Sequence, residues 1–177
     1  MKQKKLLAVA ALLSMSAFGF GDAHAATATG NAFATISKSI QIRTVDTPLN
    51  FGTITPSASV SGTVTVAAGS AVGATPTTEN VTMASVTACS PGHFEVSGDQ
   101  SASYALTLQT GTIDLTRTGG TETMTVGSFT SNESGEQLVL DSSTGLQTLA
   151  VGATLTVGAN QYSGEYRGSY EVAVVYN

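Results

Sequence analysis

The sequence predicts an all-β protein with an immunoglobulin-like sandwich of two sheets, and three observations support this fold. Short stretches in which apolar and polar residues alternate recur along the chain, with the period of a half-buried strand. Clusters of Gly, Pro, Asn, Asp and Ser separate these stretches, as turns do. Only 11% of the residues are charged, and no segment after residue 25 has the spacing of a three-turn amphipathic helix.

Residues 1–25 have the pattern of a signal peptide and are not expected to belong to the fold. A basic start at Lys2–Lys5 precedes the apolar run Leu6–Phe18, and Ala23–Ala25 supplies the small residues of a cleavage site. We expect cleavage before Ala26, export through the periplasm, and a final location at the cell surface or outside the cell. The apolar run is short for a membrane-spanning helix and no second run follows, so no transmembrane segment is expected in the mature chain.

The individual strands follow from the alternation. The first strand of the domain is expected at Ile40–Val45, and Leu155–Val157 is expected to be a short late strand. Residues 69–80 are rich in Gly, Pro and Thr and predict a loop. Gly119-Gly120 predicts the tip of a hairpin.

The C-terminal segment has the clearest pattern. Tyr170, Val172, Val174 and Tyr176 occupy every second position, which places them on one face of a final strand. Tyr176 is the penultimate residue, and Gly164 is the fourteenth residue from the end. These five residues form the predicted assembly strand and its leading glycine. The alternative interpretation is an ordinary last core strand.

The segment that follows the expected cleavage site also alternates, with small or apolar residues at Ala28, Gly30, Ala32, Ala34 and Ile36. The alternation continues to Ile42, and the whole run would span roughly 50 Å, which is too long for one typical strand. The sequence therefore predicts an N-terminal extension over 26–37 and a sandwich domain over 38–177. The extension is either a donor strand for another subunit or a frayed leader.

The composition opposes catalysis. After residue 25 the chain has one histidine, His93, and one cysteine, Cys89. No nucleophile with its base, no transition-metal ligand set and no calcium-binding loop can be assembled from the remaining side chains. We therefore predict no enzyme activity, no catalytic or metal site and no cofactor. Four cations against eleven carboxylates after residue 25 do not favour nucleic acid as a partner.

Cys89 is the single cysteine of the chain, so no internal disulfide can form. We expect it to serve as a small, partly buried apolar residue. A disulfide to another molecule is the alternative.

Four stretches of the chain carry a resemblance to a known family. They are Leu49-Asn-Phe-Gly-Thr-Ile54, Gly119-Gly120 with Met124-Thr-Val126, Val151-Gly-Ala-Thr-Leu-Thr-Val157, and the ending from Tyr166-Arg-Gly-Ser-Tyr170 to Tyr176-Asn177. Across nearly the whole mature chain the sequence resembles a secreted bacterial family, the domain-of-unknown-function family 4402. The C-terminal segment also resembles the chaperone-recognition end of chaperone-usher pilins.

The pilin resemblance implies an incomplete sandwich that lacks one strand. A periplasmic chaperone would fill the gap first, and the N-terminal extension of the next subunit would replace it, with an outer-membrane usher as a further partner. The implied function is a structural subunit of an extracellular filament. The alternative is a monomeric secreted or surface-attached binding module, or adhesin, that completes its own sandwich. Many such pilins carry an internal disulfide, which this chain cannot form.

Overall fold

The computed structural model describes residues 26–45, 47–133 and 138–177. These residues form strands and no helix, so the all-β prediction is confirmed. Accordingly, the described part of the chain contains no helix long and apolar enough to cross a bilayer. The strands are β1 (Gln41–Thr44), β2 (Thr53–Thr55), β3 (Gly62–Val66), β4 (Thr77–Glu79), β5 (Thr82–Ser85), β6 (Gly92–Ser97), β7 (Ser103–Leu108), β8 (Ile113–Arg117), β9 (Thr123–Ser131), β10 (Leu138–Val139), β11 (Leu146–Val157), β12 (Tyr166–Arg167) and β13 (Val172–Tyr176).

The chain divides into two units, Met1–Thr35 and Ile36–Asn177. Of the first unit only residues 26–35 are described; they carry no strand and are exposed. The predicted signal peptide lies outside the described residues. All thirteen strands belong to the second unit.

Strand β11 is the centre of the main sheet. Its first half pairs with β6, its second half pairs with β3 along the same edge, and β9 occupies the opposite edge. Strand β1 extends the sheet beyond β6, β4 beyond β3, and β8 then β12 beyond β9. At Gly152 a side chain would collide with the backbone of Val66 and Ala68, and the register to β9 shifts between Gly152 and Thr154. The glycine therefore allows a bulge in a closely packed strand.

Two smaller sheets cover the main sheet. The three-stranded sheet β10-β7-β13 packs on β6 and the first half of β11, where Tyr104 and Leu149 are fully buried. The ribbon β2-β5 packs on β3, β9 and the second half of β11, where Phe51 and Leu155 are buried. The arrangement is that of a β-sandwich in which the second layer consists of two separate pieces.

Some strand bounds differ from those predicted. The expected loop 69–80 contains β4, which lacks alternation because all three of its side chains are exposed and its backbone pairs with β3. Strand β11 begins at Leu146, well before Leu155, and its two-residue period is interrupted over residues 149–153, all of which are buried. The two-residue strand β12 was not predicted. The hairpin tip is confirmed, with Gly119 at a φ of 76° between β8 and β9.

Candidate assembly site at the C-terminal strand

The last strand has the two faces that its sequence predicts. Val172, Val174 and Tyr176 are half-buried, and Val174 and Tyr176 pack against the core beneath β10-β7-β13. Ala173 and Val175 are exposed, and 59% of Val175 is accessible to solvent. The strand begins at Val172, so Tyr170 precedes it, yet that side chain is also half-buried.

One edge of β13 has no partner strand among the described residues. It pairs antiparallel with β7, from Val172 opposite Leu108 to Tyr176 opposite Tyr104. Strand β1 likewise pairs only with β6 within the described chain. The opening between β1 and β13 has a volume of about 410 Å³. It is lined by Ile42, Arg43, Thr44, Phe94, Tyr170, Glu171, Val172 and Ala173.

Tyr170 is held in place by aromatic contacts. Its ring meets Phe94 edge-on, with centroids 6.0 Å apart, and stacks on Phe129 at 5.3 Å. Its hydroxyl lies over Gly92, where no Cβ could be accommodated. Burial raises the pKa of the Tyr170 hydroxyl to about 12. Tyr170 is therefore a half-buried aromatic side chain, held by Phe94 and Phe129, at the point where the chain enters β13.

Tyr176 makes polar contacts as well as apolar ones. The Asp99 backbone N–H donates to its hydroxyl oxygen over 2.7 Å, and the hydroxyl donates to the Lys38 carbonyl over 2.9 Å. The Lys38 N–H in turn donates to the Asp99 carboxylate over 2.9 Å. Gly98 lies directly beneath the hydroxyl and has no room for a side chain. The penultimate residue thus fixes the backbone at Lys38, where the predicted sandwich domain begins.

A second and larger groove, of about 910 Å³, lies on the other side of Tyr170. One wall is residues 48–56, which include β2, and the other wall is residues 161–170, which include β12. Its apolar lining includes Leu49, Phe51, Ile54, Ile113, Leu115, Met124, Val126, Leu155, Val157, Tyr162 and Tyr166. Leu115 and Met124 are only half-buried although they pack against the core. The structure therefore leaves part of its apolar interior open to solvent.

Gly164 lies in the loop before β12 and not in the final strand. Its φ of 150° falls in the region that favours glycine, and an added Cβ would lie 2.9 Å from Cδ of Arg117. Arg117 is paired with Glu122 at 2.6 Å, and its guanidinium lies 5.8 Å from the centroid of the Tyr162 ring. The glycine requirement therefore comes from local backbone geometry beside a fixed arginine.

The structure describes all five predicted donor residues and places none of them in a strand: Ala28, Gly30, Ala32, Ala34 and Ile36. All five are exposed, and 95% of Ile36 is accessible. The structure also shows that the side chain of Phe33 is 93% accessible. The predicted donor face did not include Phe33, because that face consists of even-numbered positions. A lone aromatic in an Ala/Thr/Gly-rich segment is the sequence signal that could have identified it.

Cys89 is buried, with 1% of its surface accessible, and forms no disulfide. Its Sγ lies 2.5 Å from where a Cβ on Gly52 would stand, and burial raises the pKa of the thiol. His93 lies on β6, opposite Ala150 of β11. In the described ranges no three His, Cys, Asp or Glu side chains form a group that could hold a metal ion.

Comparison with known protein families assigns the domain to a family. A family model described as "Domain of unknown function (DUF4402)" matches residues 40–176. The chain belongs to this family. The DUF4402 match includes all thirteen strands and begins after the exposed N-terminal segment. No curated protein and no solved structure gives a significant match. The family resemblance drawn from the sequence is therefore confirmed, and the geometry of the DUF4402 domain itself carries the functional argument.

Proposed function

We propose that this DUF4402 protein is a structural subunit of an extracellular filament, joined to its neighbour by a donated strand. The observation that carries the proposal is the free edge of β13 beside half-buried apolar side chains. Backbone N–H and C=O groups along such an edge form a template for another strand. An added strand would supply both a hydrogen-bonded ladder and side chains for the open core.

An added strand would bury apolar side chains that the single subunit leaves partly accessible. Val172 and Val174 lie two positions apart on one face of β13, and both are only half-buried in the single subunit. Complete burial of a fully exposed aliphatic side chain of this size contributes roughly 1.5–3 kcal/mol, so completing the burial of a half-buried one contributes part of that amount. Covering two such residues, together with Ile42 and Phe94 across the opening, favours an occupied state.

The donor in this proposal is the segment Ala28–Ile36 of a neighbouring subunit. No charged residue occurs between Ala26 and Ser37, and the described segment is exposed and without a strand. The donating surface and the accepting edge are different parts of the molecule, so the contact is heterologous and repeats as an open filament. Export, a periplasmic chaperone and an outer-membrane usher belong to the same proposal, because a free edge needs protection before assembly.

The test is resistance of the filament to denaturing detergent. Unboiled material sheared from producing cells should run as a ladder in denaturing gels, and deletion of residues 26–36 should abolish it. Ala34→Asp should also abolish the ladder, because it places a charge on the inserted face. Thr35→Asp is the matched control on the opposite face and should retain it. Wild-type protein that runs only as a monomer, with the segment resistant to proteolysis, would favour the self-completed binding module instead.

A further inference from the structure

The layer that covers the main sheet is interrupted where the larger groove lies. The sheet β10-β7-β13 and the ribbon β2-β5 are not hydrogen-bonded to each other among the described residues. Within the part of the chain that the structure describes, strand β2 pairs with β5 alone, and β13 with β7 alone. Residues of β2 line the larger groove, and Tyr170, which leads into β13, lines both that groove and the smaller opening. The two openings therefore meet at one side chain.

The length of the free segment exceeds the edge of β13. Five residues of β13 extend about 16 Å, whereas the nine residues Ala28–Ile36 extend about 30 Å. Roughly 14 Å of such a strand would continue beyond the end of β13. Tyr170, which lines the larger groove, lies just before the N-terminal end of β13.

The groove and the segment are also compatible in charge. Of the described residues that line the groove, Glu165 and Arg167 are the only charged ones, and they pair with each other at 2.7 Å. The segment 28–36 has no charged residue. Its even-numbered positions, which form one face of an extended strand, are Ala or Gly except for the last, Ile36. Small side chains on the inserted face let the strand backbone approach the groove floor closely.

We infer that the acceptor cleft runs from the free edge of β13 past Tyr170 into the larger groove, and that its occupant is residues 28–36 of a second copy of this chain. One end of the occupant pairs with β13 and the other end pairs with β2. The inserted strand joins the two covering pieces into one sheet and closes the core over Leu115 and Met124. This inference rests on the proposed function and adds the second wall of the site.

Cysteine pairs on outward-facing positions test this path without disturbing the core. In a Cys89→Ala background, one cysteine is placed in the segment, at Thr29 or Thr35, and one on the acceptor. The acceptor positions are Thr53 on β2, Ala173 on β13 and, as control, Val139 on β10; all three are exposed. Filaments are oxidised, boiled, separated without reductant, and the linked peptides are identified by mass.

The expected result is an intersubunit link from Thr53→Cys to one end of the segment and from Ala173→Cys to the other end, with none from Val139→Cys. Links from Ala173→Cys alone would overturn the inference while leaving the filament function intact. Links within one chain would overturn the second copy as occupant. If neither link forms and the unmodified protein gives no detergent-resistant ladder, the proposed filament function itself is refuted.

Discussion

The hydroxyl of Tyr176 donates a hydrogen bond to the carbonyl of Lys38 over 2.9 Å. The contact joins the penultimate residue of the chain to the first residue of the predicted sandwich domain. Asp99 completes the arrangement, because its backbone N–H binds the same hydroxyl and its carboxylate binds the Lys38 N–H. The place where the N-terminal extension leaves the domain is therefore fixed by the C-terminal strand.

Removing only this hydroxyl tests the arrangement. Tyr176→Phe keeps the ring and loses both hydrogen bonds, so we expect a loss of about 1 kcal/mol or slightly more in the free energy of unfolding. Hydrogen exchange at the Asp99 amide should accelerate, since its acceptor is gone. Tyr162→Phe is the control, because 67% of Tyr162 is exposed. Unchanged Asp99 exchange would show that the contact does not persist in solution.

The two faces of β13 predict opposite effects of a charge. Val174→Asp places a carboxylate against the buried cluster that includes Tyr104 and Leu149, and we expect destabilisation of at least about 2 kcal/mol with loss of filaments. Val175→Asp, on the exposed face, should change stability by no more than about 0.5 kcal/mol. Chemical denaturation, surface filament yield and periplasmic subunit level measure the outcome. Equal effects of the two substitutions would contradict the assigned faces.

Cys89 is predicted to be inert in the folded protein. Its burial excludes reagents, and its raised pKa keeps the thiol protonated at neutral pH. A thiol reagent should react rapidly only in denaturant, and Cys89→Ala should cost about 1 kcal/mol through the lost contact volume. Rapid labelling of native protein, or a dimer in non-reducing gels, would instead reveal the intermolecular disulfide.

The Arg117–Glu122 pair predicts a specific acid response. The hydrogen bond from Arg117 is the main cause that holds the pKa of the Glu122 carboxyl below its usual range. A carboxyl whose pKa is lower in the folded than in the unfolded protein stabilises the fold at pH values above the unfolded-state pKa of about 4.3. This stabilisation is lost as the pH falls through the folded-state pKa. Glu122→Gln should therefore flatten the loss of stability below about pH 4.3. Glu165→Gln, in the more exposed pair with Arg167, is the matched control and should leave the acid profile closer to that of the wild type.

Local sequence determined much of this protein. The alternation from Val172 to Tyr176 gave the faces of the last strand correctly, because side chains of any strand point to opposite sides in turn. The glycine pair at 119–120 marked its hairpin through its backbone freedom. The family, the all-β fold and the burial of Cys89 were also predictable from residue types and their order.

Only the tertiary structure decided which strand edges have partners. Strand β4 exists through pairing with β3, and the middle of β11 loses alternation because residues 149–153 are all buried. Whether an edge is filled depends on segments far away in the chain, so no local pattern can show that β2 and β13 each have one partner among the described residues. The link from Tyr176 to Lys38 spans 138 positions for the same reason. The groove is a property of that long-range pairing, and the sequence supplied only the faces that line it.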